Sequence, residues 1–277
     1  MGILDQNIVS KLKIEAFNIR KFLVKHAIRT ESHLPAQLSS TDLLTALYFD
    51  FLNVDPKNPN WPDRDIFILG KAHSSLILYY LLGKLDFFPF DTLLERYEEI
   101  FSEFGTNLSH KVPGVEASQG SLGHGMSLSA GMALVAKREN KPNKIICYVG
   151  DGELHEGSNW EAAMFASTNC LDNLTTIVDN NHFAGNTPMS KSINLEPLDK
   201  RFESFGWATR RIDGNNMSEI INTFYDTPFK KGQPSCIVAD TIVGKGIPSL
   251  ENTTKALLWL TDDEGKNALK ELNKYEF

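Results

Sequence analysis

Residues 145–181 read IICYVGDGELHEGSNWEAAMFASTNCLDNLTTIVDNN. One apolar run, 145–149, stops at Gly150-Asp151-Gly152, and a second, 174–178, stops at Asp179-Asn180-Asn181. Each run is short and bounded by turn residues, as in a strand buried on both faces, and the segment between them predicts a helix over 159–169. A right-handed crossover through that helix brings both strand ends to one rim of a parallel sheet, the rim where such sheets bind ligands. Two strands that end alike in oxygen-bearing side chains therefore read as two halves of one site.

The same alternation continues outward. Helix 197–204, strand 207–212, helix 217–226 and strand 235–243 follow, so the expected fold is α/β, a parallel sheet with helices on both faces. Upstream, DIFILG at 65–70 predicts a short strand, followed by helices through Leu82, near 91–103 and from Met126 to about Glu139. Ile8, Leu12, Ala16, Ile19 and Leu23 recur at helical spacing, which predicts an amphipathic helix over 1–30. After a turn at Pro35, STDLLTALYFDFL opens on a Ser/Thr/Asp cap and continues as a helix. No repeat or linker divides the chain. It reads as a single domain over 1–277, with helix 1–30, a sheet core of about 64–247 and a tail over 248–277.

The chain has 277 residues, 42% of them hydrophobic, enough for one large α/β core. Its net charge of −7, with no Lys/Arg run longer than two, argues against a nucleic-acid or anionic-membrane surface. Cys147, Cys170 and Cys236 lack metal-ligand spacing and read as buried thiols of a reducing compartment. There is no signal-peptide core, Gln6 stands where a myristoylation motif has Ser or Thr, and no apolar run reaches eighteen residues. The expected location is the cytoplasm.

At the shared rim, the Asp151 carboxylate, the Asn181 amide and a carbonyl near Phe183 form a hard oxygen set of low charge. Such a set suits Mg²⁺ or Ca²⁺ completing its shell with phosphate oxygens. Gly150 and Gly152 let a bulky anion approach the backbone. Ser158 with Glu161 three residues on forms a capping-box pattern for the following helix. Taken alone, GDG is also compatible with an ordinary strand-to-helix turn, but residues 153–179 then separate it from an Asn-Asn pair on a second strand end.

That spacing resembles the thiamine diphosphate motif, and GDGELHEGSNWEAAMFA is similar to its transketolase branch. The resemblance runs from about Thr30 to Ile247, through LSSTDLLTALYFDFL, NPNWPDRDIFILGKAHSSLILYYLL, PGVEASQGSLGHGMSLSAGMAL and DTIVGKGIP. It implies the diphosphate-binding fold of the family, in the form of the N-terminal subunit of a split transketolase. By this resemblance Asp151, Asn181 and the Phe183 carbonyl hold Mg²⁺, with Ca²⁺ or Mn²⁺ as substitutes, and Gly150, Gly152 and Glu153 border the diphosphate. In GSLGHG, Gly120, Ser121 and Leu122 meet the cofactor's aminopyrimidine; the segment also reads as a glycine-rich cap on the next helix. His73 in KAHSS stands near the diphosphate, or else is a satisfied core residue. His33 matches a substrate-channel histidine without its flanking glycines. Glu156 matches an acid that joins two cofactor sites across a subunit interface, or is a solvated loop carboxylate.

Three segments depart from the family pattern. FGTNLSHKVPGVEAS is shortened and offers only His110, without the following proline, for the family's GHP histidine. The loop NNHFAGNTP is trimmed. After GKGIPSLEN the chain reads TTKALLWLTDDEG in place of a Trp-His segment, with no histidine after His182. Losing one donor to developing charge is worth about 3–4 kcal/mol, which argues against an unchanged sugar-phosphate mechanism and is compatible with a modified donor or acceptor. In the family the glutamate that protonates the aminopyrimidine belongs to the other half of the polypeptide. The expected assembly is an α2β2 complex with a C-terminal subunit carrying the pyrimidine-binding and C-terminal domains, and the chain by itself should not turn over. The expected reaction moves a two-carbon ketol or acyl unit from a ketose to an aldehyde or ketone. The alternatives are an enzyme subunit that uses a 2-oxo acid donor and a non-catalytic scaffold.

Overall fold

A computed structural model describes residues 5–275; residues 1–4 of the expected first helix, Gly2 among them, and residues 276–277 of the tail lie outside the described residues. Helix α1 (Gln6–Arg29) buries Val9, Leu12, Ala16, Ile19 and Leu23 along one stripe, while Ile8 of the expected set faces solvent. Helix α2 (Leu34–Ala46) begins earlier than its Ser-Thr-Asp sequence suggests, with Pro35 in its first turn, and runs on as a π-turn to Phe51. Those polar residues are internal to the helix and buried. Asp42 takes a two-pronged contact from the buried Arg20 at 2.9 and 2.8 Å, which ties α2 to α1.

Strand β1 (Ile66–Leu69) leads to α3 (Ser75–Lys84) and α4 (Phe90–Arg96). Helix α4 is shorter than expected, because Glu98 and Phe101 take positive φ and the chain leaves helical geometry after Arg96. Next come α5 (Gly125–Arg138), β2 (Ile145–Gly150), α6 (Gly157–Thr168) and β3 (Leu174–Asn180). A hairpin of β4 (Phe183–Ala184) and β5 (Thr187–Pro188) follows. The chain then passes through α7 (Leu198–Ser204), β6 (Ala208–Asp213), α8 (Met217–Tyr225), β7 (Ser235–Asp240) and α9 (Asp262–Lys274).

Five strands pair in the order β1-β2-β3-β7-β6, all parallel. Alternation along each strand divides the apolar side chains between two cores. Ile146, Tyr148 and Ile177 join the core beneath α1, α2, α3 and α8. Cys147, Val149 and Val178 join the core beneath α5, α6 and α7. The layered architecture is the one expected. Cys147 and Cys236 are buried as anticipated, whereas Cys170 is exposed, because it closes the turn after α6 with a positive φ. No helix among the described residues is long and apolar enough to cross a membrane.

The tail has regular structure of its own. Thr261 caps α9, accepting from the Glu264 N–H while the Glu264 carboxylate accepts from the Thr261 N–H. Helix α9 packs on α1, and the chain before it pairs with residues near the start of α2, through Ser32 and Leu258 N–H···O bonds of 2.9 Å each way.

Candidate active site

The register Gly150↔Asp179 sets the ends of β2 and β3 side by side, so the residues after each strand emerge on the carboxyl rim. They border a cavity of about 280 Å³ lined by His33, Lys71, His73, Leu122, Gly150, Asp151, Gly152, Glu153, Asn181 and Phe183, among others. The two motifs that open the sequence thus face one space. His110, Glu156, Gly120 and Ser121 do not line it. His110 is exposed and hydrogen-bonds Ser118 at 2.8 Å. Glu156 is exposed at the start of α6. Gly120 lies against Asn107, where a Cβ would come within 3.0 Å of the amide oxygen.

Asp151 is 1% exposed and no ion pair reaches it among the described residues. Its two oxygens accept from the Gly152 N–H at 2.8 Å and the His182 N–H at 2.6 Å. Burial first, and then the neighbouring Asp179 carboxylate, push its pKa up to about 7. The Asn181 amide oxygen accepts from the Phe183 N–H at 3.0 Å. Each of these oxygens retains a lone pair after those contacts. A Cβ on Gly152 would sit 3.3 Å from the Phe183 carbonyl oxygen and 3.0 Å from the Ala184 Cα, so a side chain here would press on the hairpin that glycine lets approach closely. No group of three or more His, Cys, Asp or Glu with metal-ligand placement exists among the described residues. A cation here would need amide and carbonyl oxygens beside the single carboxylate.

Glu153 is spent on architecture. Its carboxylate accepts from the Gly123 N–H at 3.0 Å and the Gly150 N–H at 3.2 Å, clamping the GSLGHG segment to the GDG turn, and burial pushes it up to about 7. The clamp requires glycine at two neighbouring points. A Cβ on Gly70 would meet the Glu153 carboxylate at 2.7 Å, and one on Gly125 would meet the Gly70 Cα at 2.8 Å. The expected capping box does not form. Ser158 lies inside α6 and donates to the Gly123 carbonyl at 2.8 Å, adding a second tie to the same segment.

His33 and His73 lie together, ring centroids 4.9 Å apart. Burial lowers both; beside His73 the Lys71 ammonium and His33 lower it further, to about 3. Both are neutral imidazoles near neutral pH, able to donate one N–H and accept at the other nitrogen.

Several residues at this rim have no signal in the sequence. The buried Lys71 ammonium pairs with the buried Asp179 at 2.5 Å and donates to the Ala36 carbonyl at 2.8 Å. The Ser39 and Ser40 hydroxyls reach Asp179 at 2.9 and 3.0 Å, and Thr241 also donates to it. Lys71 is visible in GKAHSS and Asp179 in IVDNN, but no local rule pairs residues so far apart in sequence. Thr253, Lys255 and Ala256 from the tail also line the cavity.

A second network secures the end of β3. Asn180 donates to Glu196 at 2.8 Å and to Asp240 at 2.7 Å, while Arg211 bonds both acids. Burial raises Glu196, but hydrogen bonds from Arg211, the Leu198 N–H and Asn180 outweigh it and hold the acid at about 2. Its folded pKa lies below its ordinary 4.5, so it contributes stability above that value and loses it as pH falls toward about 2. Glu196→Gln should therefore flatten the loss of stability between about pH 4.5 and 2. For so exposed a group the difference is about 1 kcal/mol or less, read by urea unfolding at both ends of the range. An unchanged acid slope would remove Glu196 from that role.

Comparison with known proteins matches the family described as "Transketolase, thiamine diphosphate binding domain" over residues 13–272. The chain is 36% identical to the 6-deoxy-6-sulfo-D-fructose transketolase subunit SqwG of Clostridium sp. (strain MSTE9), over 97% of this chain and 94% of that protein. It is 40% identical to an apulose-4-phosphate transketolase subunit of Actinobacillus succinogenes, over 79% of each. The crystal structure of transketolase from Campylobacter jejuni superposes with a TM-score of 0.88 at 28% identity, covering 95% of this chain and 43% of that one.

Proposed function

The chain belongs to the transketolase thiamine diphosphate-binding family, and from that membership we propose that it is the diphosphate-binding subunit of a two-component transketolase. In this reading Asp151, Asn181 and the Phe183 carbonyl hold Mg²⁺, for which Ca²⁺ or Mn²⁺ can substitute. The supporting observation is Asp151 itself, a carboxylate buried at the cavity wall without an ion-pair partner among the described residues, close to the Asn181 amide oxygen, which keeps a lone pair. Leaving such a group ionised costs several kcal/mol unless a cation meets it.

Bound thiamine diphosphate supplies the nucleophile and the electron sink for cleaving a carbon–carbon bond. The chain's own residues bind and orient. Gly150 and Gly152 admit the diphosphate to the backbone, and Leu122 presents an apolar wall to the cofactor. Glu153 fixes the two segments relative to one another. His73 and His33, both neutral, offer N–H donors to phosphate or to substrate hydroxyls without adding charge. The donor class is a ketose, in keeping with the sugar transketolases among the relatives, and the two-carbon ketol unit passes to an aldehyde or ketone. A C-terminal subunit with pyrimidine-binding and C-terminal domains completes the site in an α2β2 assembly. This chain spans 43% of the Campylobacter transketolase, and both named relatives are themselves called subunits.

The test is reconstitution. Co-expression with a candidate C-terminal subunit should yield a complex that uses hydroxypyruvate or xylulose 5-phosphate only when Mg²⁺ and thiamine diphosphate are present, with no turnover by either component in isolation. Full activity in the isolated chain would overturn the two-component reading. Consumption of pyruvate in preference to the ketose would move the assignment to 2-oxo acid chemistry.

A further inference from the structure

The segment between β7 and α9 borders the cavity through Thr253, Lys255 and Ala256 and is pinned on both sides. Asn252 donates to the Val243 carbonyl at 2.9 Å, and the Ala256 N–H donates to the Asn186 side chain at 2.7 Å. Further along, Leu258 pairs with Ser32 and the Leu260 N–H donates to the Ala27 carbonyl at 2.8 Å. The Trp259 indole donates to the Ile28 carbonyl at 3.1 Å. These ties hold residues 253–256 in place beside the cavity and His33.

This segment alters the charge inventory of the cavity. Of the basic lining residues, His33 and His73 are neutral and Lys71 is committed to Asp179, Ala36 and two serine hydroxyls. Lys255 alone keeps its charge uncommitted: its ammonium makes no hydrogen bond or ion pair among the described residues, its backbone is fixed, and its side chain is exposed beside the cavity. The Glu264 carboxylate is near enough to feel it, without bonding to it. Thr253, on the same turn, accepts from the Lys255 N–H at 3.3 Å and keeps its hydroxyl proton to donate. A flexible cation on a fixed backbone, with a hydroxyl donor beside it and the buried acids on the other side of the cavity, suits a tetrahedral oxyanion on a ligand that enters head first.

We propose that Lys255, assisted by Thr253, grips the anionic far end of the carbohydrate substrate, a phosphate or sulfonate group, and is thereby a specificity-determining residue. The proposal rests on the transketolase reading above for the identity of the ligand that enters. A lysine is suited to the task because it meets such a group as a mobile point charge and needs no planar match.

The experiment uses the reconstituted complex loaded with Mg²⁺ and thiamine diphosphate. Calorimetry with ribose 5-phosphate, an acceptor that does not react without a donor, measures binding independently of turnover. Lys255→Met should weaken it by roughly 10- to 100-fold, the span of one charge-assisted contact, and Lys255→Arg should recover most of the loss. KM values for xylulose 5-phosphate and for 6-deoxy-6-sulfofructose then separate the sources, since the donor whose KM rises carries the group that Lys255 meets. Retention of thiamine diphosphate by the Met variant should equal wild type. Loss of cofactor affinity with unchanged sugar binding would assign Lys255 to the diphosphate and overturn the proposal, as would no change in either. A wild-type complex that binds ribose 5-phosphate through Lys255 yet turns over no ketose would sink the activity reading and leave this contact standing. A wild-type complex that turns over ketose yet whose KM for both xylulose 5-phosphate and 6-deoxy-6-sulfofructose is unchanged by Lys255→Met would end the proposal and leave the activity reading standing.

Discussion

Asp151→Ala is expected to lower Mg²⁺-dependent uptake of thiamine diphosphate by at least about 100-fold in the reconstituted complex, while the chain stays folded. Residues that merely orient metal ligands cost 10- to 100-fold when removed, and Asp151 would supply the only carboxylate of its set. The fold should survive because the native carboxylate is itself a burden: burial raises its pKa to about 7, so the ionised form opposes folding near neutrality. Alanine does strand the Gly152 and His182 N–H groups, at a cost of about 1–3 kcal/mol unless water reaches them. Asp151→Asn keeps an acceptor for one of them and turns its NH2 toward the other, so it should lose the cation at a smaller cost in stability than alanine and so help to separate the two effects. The raised pKa also fixes a sign. Below about 7 a cation must displace a proton from the free chain, so apparent Mg²⁺ affinity should fall as pH drops through that value. Calorimetric titration with and without Mg²⁺ reads all of this, and wild-type cofactor occupancy in Asp151→Ala would refute the metal assignment.

The sheet is legible in the sequence because its central strands are buried on both faces and β2 and β3 are punctuated by Gly-Asp-Gly and Asp-Asn-Asn. The α2 boundary is not. Ser40, Thr41 and Asp42 carry the composition of a helix cap, yet each is paired inside the helix: Thr41 with the Gln37 carbonyl, Asp42 with Arg20, Ser40 with Asp179. A local rule expects such side chains to stop at the nearest backbone N–H; the carbonyl one turn back overrides it for Thr41, and distant partners override it for Ser40 and Asp42. Helix α9 escapes for a different reason. Its sequence is polar apart from Ala268, Leu269 and Leu272, so the apolar stripe is thin, though the Thr261 and Glu264 pair is a usable signal.

The cavity shows the same division. Asp151, Asn181 and Phe183 come from one contiguous strand-helix-strand unit, whose spacing in sequence fixes their nearness in space. His33 and His73 are reached through resemblance, since nothing local relates two histidines on separate segments. The segment carrying Lys255 has the sequence of a divergent tail, because its place beside the cavity depends on bridges to Ser32 and Ala27 at the far end of the chain. The Lys71–Asp179 pair is hidden most completely. A buried lysine looks like any surface lysine in sequence, and only the fold supplies its counter-charge.

That pair sets the last expectation. Lys71→Met should cost about 3–5 kcal/mol of stability, the penalty for leaving one member of a buried ion pair alone. Asp179 is fully buried; although burial raises its pKa, Lys71 and the surrounding hydroxyls hold it below the ordinary carboxylate value. Without Lys71 the Ser39, Ser40 and Thr241 hydroxyls remain, but they cannot neutralise a full charge, so the acid should take up a proton. The variant's deficit should then shrink toward acid pH and widen as pH rises, opposite to the native contribution of Asp179. Lys71→Met with Asp179→Asn removes both charges together and should recover a large part of the loss. The consequence also reaches the rim, since the Asp179 carbonyl accepts the Asp151 N–H at 3.1 Å and the chain continues directly into Asn180 and Asn181. Cofactor uptake should fall with stability in the single variant and return only partly in the double one. Urea unfolding of wild type, Lys71→Met, Asp179→Asn and the double variant near neutrality and in mild acid measures the coupling, and a Lys71→Met protein within about 1 kcal/mol of wild type would show that the hydroxyl cage suffices to hold the acid.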